Sequence, residues 1–161
     1  EVACLGDNLD EAFYLAMQAS ETVVKGKRVF VSIGDEKKAK LLPYLKILFD
    51  QGWEFICTYG THEYLKLNQI NSVCVFKAHD SGKTPNTSSV IINRQVDLII
   101  NIPRGNPSSV HETDGFLIRR LAIDHHVPLI TNVQIAQQLL LSLSKFYQKP
   151  IPVRTLKEIT Q

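Results

Sequence analysis

An α/β fold, doubly wound as a three-layer sandwich around a five-stranded parallel sheet, is what this sequence predicts, and three observations predict it. Five short apolar runs punctuate the chain: RVFVSI at 28–33, WEFIC at 53–57, VCVF at 73–76, VDLIINI at 96–102 and PLIT at 128–131. They are apolar nearly throughout instead of alternating, the pattern of strands covered on both faces. Segments of helical period separate them, so consecutive strands are joined by right-handed crossovers and run parallel.

The elements follow in order. Residues 1–6 are a partly apolar lead-in. Asp7 or Asn8 can cap a helix to about Ser20, with Leu9, Ala12, Phe13, Ala16 and Met17 on one stripe. A basic linker, 22–27, leads to the first strand, which ends in Gly34-Asp35. The next helix turns Ala39, Leu42, Leu45 and Phe49 inward; Pro43 requires it to start late or to kink. Gly52 closes it, and the second strand stops in Thr58-Tyr59-Gly60-Thr61, with Thr61 as N-cap of an amphipathic segment over 63–67. The third strand gives way to a polar loop, 77–85, then to a helix capped by Asn86 or Thr87 and ending near Asn93. After the fourth strand comes an irregular loop, 103–115. A helix over 116–125 precedes the fifth strand, and Asn132 caps a last helix from Val133 to about Phe146. The tail, 150–161, is expected to pack back through Ile151, Val153, Leu156 and Ile159.

In such sheets ligands lie beyond the carboxyl ends of the strands, where strand order reverses. The residues there are Ser32, then Thr58 and Thr61, then Lys77, then Asn101. Gly60 allows a close backbone approach, and a helix start beside it adds unpaired N–H groups. Hydroxyl, amide and ammonium groups converging on one edge make a small-anion pocket. An ordinary capped turn would explain the Thr58–Thr61 stretch taken alone, but not this convergence.

Other patterns carry less. Gly82-Lys83-Thr84 ends like a P-loop, yet the first glycine of that motif would fall on Lys77. Ser142-x-x-Lys145 has none of the companion motifs of serine hydrolases of that spacing. His125 and His126 are adjacent and diverge on a helix; they fit a helix C-terminus better than a metal site. Arg119 and Arg120 could contact an anion, but on a helix that follows a long loop they read better as carboxylate or carbonyl contacts. Asp35, Asp80 and Asp97 show no pairing with a second carboxylate or a histidine, so no catalytic residue is assigned and no metal is expected. Asp97, at a strand start, reads as structural.

Composition narrows the class. A chain of 161 residues with 44% hydrophobic content builds one domain with a normal core. A net charge of +2, without basic runs, argues against nucleic acid and anionic membranes. Three cysteines, two of them inside apolar runs, read as reduced core residues of a cytoplasmic protein. No apolar run reaches membrane-spanning length and no signal peptide is visible. The chain opens on Glu1, not Met, which reads as a piece of something longer.

The lead-in EVACLGDNLDEAFYLAM, then VFVSIGDEKK, CTYGTHEYL, VDLIINIP, FLIRRLAID and VPLITN together resemble the C-terminal regulatory domain of the carbamoyl-phosphate synthase large subunit, which has the methylglyoxal-synthase-like fold. The resemblance covers nearly the whole length. It implies a lead-in from the preceding ATP-grasp region over 1–25 and an effector-binding domain over 26–161. It implies allosteric control: an effector bound here alters the synthase's use of ATP and bicarbonate elsewhere. In nucleotide-regulated members the effectors resemble UMP and IMP, with ornithine at a neighbouring interface; in ammonia-dependent members the effector is N-acetylglutamate. Carried over by motif, Lys38, Thr58 and Thr61 would hold a phosphate or carboxylate. Lys77 falls where nucleotide-regulated members place lysine and acetylglutamate-regulated ones tryptophan, and Asn101 is the polar residue ending strand four. Ile102-Pro103-Arg104 after it is closer to the ammonia-dependent type, so both effector classes stay open. The domain itself needs no cofactor; ATP with magnesium or manganese is implied for the full subunit. The rest of that subunit and a glutaminase small subunit are the implied partners. A free-standing methylglyoxal synthase is disfavoured, because Thr84 and Arg104 stand where that enzyme's aspartates would be. A plain oligomerisation module would leave the polar strand ends unexplained.

Overall fold

The structure, a computed structural model, describes residues 3–20, 22–78, 80, 82–103, 114–151 and 153–159. Arg104 and most of the 103–115 loop lie outside them, as do the side chains of Leu156 and Ile159. Five strands form one parallel sheet: β1 Arg28–Ile33, β2 Glu54–Thr58, β3 Val73–Val75, β4 Leu98–Ile102 and β5 Leu129–Ile130, in the order β3-β2-β1-β4-β5. The helices are α1 Leu9–Ala19, α2 Lys38–Asp50, α3 Tyr59–Leu67, α4 Thr87–Ile92, α5 Asp114–Asp124, α6 Val133–Phe146 and the short α7 Leu156–Ile159.

The expected doubly wound sandwich is therefore present. From β1 the chain moves outward to β2 and β3, then returns to the other side of β1 for β4 and β5. With right-handed crossovers, that reversal puts the intervening helices on opposite faces. Odd and even strand residues sort accordingly. Val29, Val31, Phe55, Cys57, Leu98 and Ile100 pack in one core with Leu41, Leu45 and Leu48 of α2, Leu65 of α3 and Leu139, Leu140 and Leu143 of α6. Phe30, Val75 and Ile99 pack in the other with Val90 and Ile91 of α4 and Ile118 and Ala122 of α5. Each core lies between the sheet and one helical layer.

Tertiary contacts move several details. In α2 the inward stripe is Leu41, Leu45 and Leu48; Leu42 and Phe49 flank it and Ala39 is exposed. The helix is rotated from the expected Ala39/Leu42/Leu45/Phe49 setting because it starts at Lys38 after a 3-10 turn, Asp35–Lys37, with the Lys38 side chain buried. Pro43 lies inside α2, beyond the first turn, and its missing N–H leaves the exposed Ala39 carbonyl for water. Gly52, at φ 80°, ends α2 as expected: its N–H reaches Phe49 O and the Trp53 N–H reaches Leu48 O. His126 plays the same part after α5 at φ 55°, so the histidine pair does stand at a helix C-terminus. Cys57 is buried in the core, whereas Cys74 is exposed because β3 is an edge strand. Burial pushes the Cys57 thiol up to about 12, which makes it a hydrophobe, not a nucleophile.

At the opposite end of the sheet, Asp97 is structural as expected. Its carboxylate accepts the Arg28 backbone N–H and both Nε and Nη2 of the Arg28 side chain, each at 3.0 Å. Gly26 permits this: a Cβ there would sit 2.3 Å from Asp97 Oδ2.

Of the tail residues expected to pack back, Val153 does not and Ile151 does so only in part, while the side chains of Leu156 and Ile159 lie outside the described residues. Val153 is 99% exposed and Ile151 half-exposed. What ties this segment down is Arg154, whose guanidinium pairs with Asp7 and lies 3.6 Å from Glu11.

The lead-in helix α1 is capped by the Asn8 side chain and packs on α6, with the Tyr14 and Phe146 rings 6.0 Å apart. Asp10 fixes this contact. It accepts from Lys145 and, at 2.6 Å, from Gln138 Nε2. The Lys145 hydrogen bond, then that of Gln138, hold the Asp10 carboxyl below the usual carboxylate range. A depressed folded-state value stabilises the fold above the unfolded value and ceases to do so as pH falls through the folded one. Asp10→Asn is accordingly expected to lower the melting temperature at pH 7, with the difference closing towards pH 3. Scanning calorimetry of both chains across that range checks it; a pH-independent gap would contradict the assignment.

Candidate functional site

Ser32, Thr58 and Asn101 come from the carboxyl ends of three adjacent strands and point to one face of the sheet. The pleat dictates this: Val31, Cys57 and Ile100 face the α2/α6 core, so the next residue on each strand faces the α4/α5 layer. Ser32 and Asn101 are register partners, and the Thr58 and Ser32 hydroxyl oxygens lie 3.4 Å apart. The expected row of polar strand ends is thus formed where strand order reverses.

Thr61 joins the row in a role different from the expected one. Helix α3 begins at Tyr59 with Thr58 at the N-cap position, so Thr61 lies within the first turn and is not the cap. Its buried hydroxyl oxygen accepts the Ile33 backbone N–H at 3.2 Å and lies 3.5 Å from that of Thr58. With the oxygen so used, the hydroxyl proton is what Thr61 can offer a ligand.

Lys38 reaches the same mouth from the start of α2. Its buried ammonium donates to Asp35 Oδ1 and to the Gly60 carbonyl, each at 2.6 Å, with the Tyr64 ring centroid at 5.7 Å. The Asp35 carboxylate offsets its charge at rest. At Gly60 an added Cβ would sit 3.5 Å from Lys38 Nζ, an ordinary contact. Lys77 follows β3 on an exposed stretch, and no described residue bonds its ammonium. It stands one strand out from Thr58, at the rim.

Asn101 is 3% exposed and its Oδ1 accepts from Arg119 Nη1 at 2.9 Å. Arg119 is the site residue that strand-end reasoning missed. The sequence reading of the Arg119-Arg120 pair as carbonyl or carboxylate contacts describes the bonds correctly, since Arg120 pairs with Asp124, but it does not place Arg119 at the mouth. Nothing in the local pattern distinguishes the two arginines; the signal is the helical phase that puts Ile118 and Ala122 against the sheet and Arg119 beside them.

A separate hollow of about 320 Å³ opens on the other side of β4, lined among others by Lys37, Lys40, Thr131 and Gln137. Among the described residues no group of three or more His, Cys, Asp or Glu side chains converges as metal ligands would, and no helix is long and apolar enough to cross a membrane.

Fold and strand ends together define a doubly wound α/β domain with a cluster of polar residues at its switch point. Residues 40–131 match the family model of the MGS-like domain, and the chain belongs to that family. It is 35% identical over 144 residues to the multifunctional protein ura1 of Schizosaccharomyces pombe, covering 85% of this chain and 6% of that protein. To the human mitochondrial carbamoyl-phosphate synthase [ammonia] it is 31% identical over 140 residues, 85% of this chain and 9% of that one. To the carbamoyl phosphate synthase large chain of Clostridium botulinum it is 37% identical over 135 residues, 81% of this chain and 12% of that one. The chain thus spans only a small part of the length of these relatives.

Proposed function

We propose that this chain is the regulatory domain of a carbamoyl-phosphate synthase large subunit and that it binds a small phosphate-bearing effector of the UMP or IMP kind at the strand-end mouth. One observation supports the reading: Ser32, Thr58 and Asn101 stand side by side on one sheet face at the switch point, with Thr61 against Thr58, Arg119 on Asn101 and Lys38 at the Gly60 turn. A nucleotide monophosphate gathers its double charge on one group, whereas N-acetylglutamate spreads two carboxylates along its chain, so cations at one mouth favour the nucleotide. The domain itself uses no cofactor. ATP, with magnesium or manganese, belongs to the rest of the subunit, and that remainder and a glutaminase small subunit are its partners in the cytoplasm.

A melting-shift screen of this chain with UMP, IMP, ornithine and N-acetylglutamate tests the reading. A ligand that prefers the folded state raises stability by RT ln(1 + [L]/Kd), about 2.7 kcal/mol at a hundred-fold excess over Kd. UMP or IMP is expected to give such a shift. Stabilisation by N-acetylglutamate alone would replace the nucleotide assignment.

Lys77→Ala is expected to weaken nucleotide binding by roughly ten- to a hundred-fold, the worth of one charge-assisted contact. The melting temperature without ligand should stay unchanged, since an exposed loop lysine carries little packing. Wild-type affinity in this variant, read by titration calorimetry, would remove Lys77 from the site.

A further inference from the structure

The geometry points to Arg119 as the anchoring cation of this mouth: with the Asn101 carboxamide it holds the effector's anionic group. The inference rests on the anion-binding reading above and adds to it a residue on α5 that the strand ends do not include.

The hydrogen-bond inventory of the mouth carries it. Asn101 Oδ1 is taken by Arg119 Nη1 at 2.9 Å, so what the carboxamide has left to present is its NH2 group, for which no described residue serves as acceptor. Thr61 Oγ1 has accepted the Ile33 N–H, leaving its O–H to donate. Thr58 directs its hydroxyl proton to Ser32 Oγ at 3.4 Å or to Thr61 Oγ1 at 3.5 Å, which leaves the Ser32 proton to donate. The Asn101 NH2, the Thr61 hydroxyl and the remaining guanidinium N–H groups of Arg119 are donors left over at one mouth, and such a set favours an anion.

Charge points the same way. Arg28, Arg120 and Arg154 each pair with a carboxylate, on Asp97, Asp124 and Asp7. Arg119 is half-buried, yet its contact is a neutral amide oxygen, and no ion pair joins it to a described carboxylate. Of its five N–H donors one is committed there. Lys38, by contrast, is already neutralised by Asp35 at 2.6 Å. A partly desolvated guanidinium without a counter-charge among the described residues favours an incoming anion, and its planar fork can bind two oxygens at once.

The test is calorimetric titration of this chain with UMP, IMP and N-acetylglutamate at several salt concentrations, for wild type, Arg119→Gln and Arg119→Lys. For whichever probe binds, Arg119→Gln is expected to weaken binding by roughly ten- to a hundred-fold and to flatten its salt dependence. Arg119→Lys, which keeps the charge and loses the fork, should fall between it and wild type with the salt dependence retained. Wild-type affinity and salt slope in Arg119→Gln would overturn the anchor and leave the anion reading standing. Equal losses in both variants with an unchanged salt slope would also overturn it, reducing Arg119 to an orienting contact for Asn101. Should Arg119→Gln fail to fold, Arg119→Lys decides: affinity equal to wild type overturns the inference. If wild type binds none of the three probes, the anion reading fails and the anchor with it.

Discussion

Phe30→Ala is expected to destabilise this domain by about 3–5 kcal/mol, a large share of the roughly 5–15 kcal/mol that holds a typical domain together. Phe30 is fully buried at the centre of the sheet, on the face covered by α4 and α5. The buried residues of that core are otherwise aliphatic: Val75, Val90, Ile91, Val96, Ile99, Ile118, Ala122 and Val127. Truncation leaves a void between sheet and helices that neighbours of this size, held on a five-stranded sheet, fill poorly, so the cavity penalty adds to the lost transfer energy. A melting temperature lower by about 6–20 °C follows for a chain of this length. Phe30→Leu keeps most of the volume and is expected to cost less than about 1.5 kcal/mol. The layer it disturbs also carries Arg119, and Ser32 lies two residues along on the same face, so effector affinity should fall even where the variant stays folded. Urea unfolding of both variants checks the first claim; a loss below about 1.5 kcal/mol for Phe30→Ala would show that α4 and α5 are free to collapse.

The parts of this architecture that were legible in the sequence share one property: local chemistry alone decides them. Strand β1 is apolar at all but Arg28 and Ser32 and was readable residue for residue. Asn132 is an N-cap by residue type, and of the two candidates Asn86 and Thr87 it is Asn86 that caps; both asparagine side chains accept from the third residue of their helices. The row Ser32, Thr58, Asn101 follows from where apolar runs end. What was not legible depends on contacts distant in the chain. The rotation of α2 is set by Lys38 reaching Gly60, 22 residues on. Thr61 looks like a cap, but the Ile33 N–H claims its oxygen from another strand. The tail's apolar residues suggested burial, while Arg154 finds Asp7 at the far end of the sequence. Arg119 reads as one of two adjacent arginines until the fold sets it against Asn101.

Lys38 and Asp35 should act on effector binding with opposite signs. The Lys38 ammonium is held between the Asp35 carboxylate and the Gly60 carbonyl, so at rest the pair adds no net charge to the mouth. An anion arriving there competes with Asp35 for the same N–H donors. Lys38→Met keeps the stem volume in the buried slot, but it removes the cation and leaves the Asp35 carboxylate without that ammonium beside the ligand. Its expected effect is a loss of roughly ten- to a hundred-fold in UMP or IMP affinity, the worth of one charge-assisted contact. The fold should change by about 1 kcal/mol or less, because the Asp35 side chain is 70% exposed and stays hydrated when its partner goes. Asp35→Asn does the reverse. It withdraws the competing charge, leaves Lys38 in place, and should tighten binding about two- to five-fold, in proportion to the modest worth of a partly exposed ion pair. The double variant should bind better than Lys38→Met alone, since the second change removes the carboxylate that the first one unmasked, and the two effects will not add. Titration calorimetry of the four proteins reads this directly. Weaker binding in Asp35→Asn, or wild-type affinity in Lys38→Met, would mean that Lys38 holds only α2 and the Gly60 turn and never meets the anion.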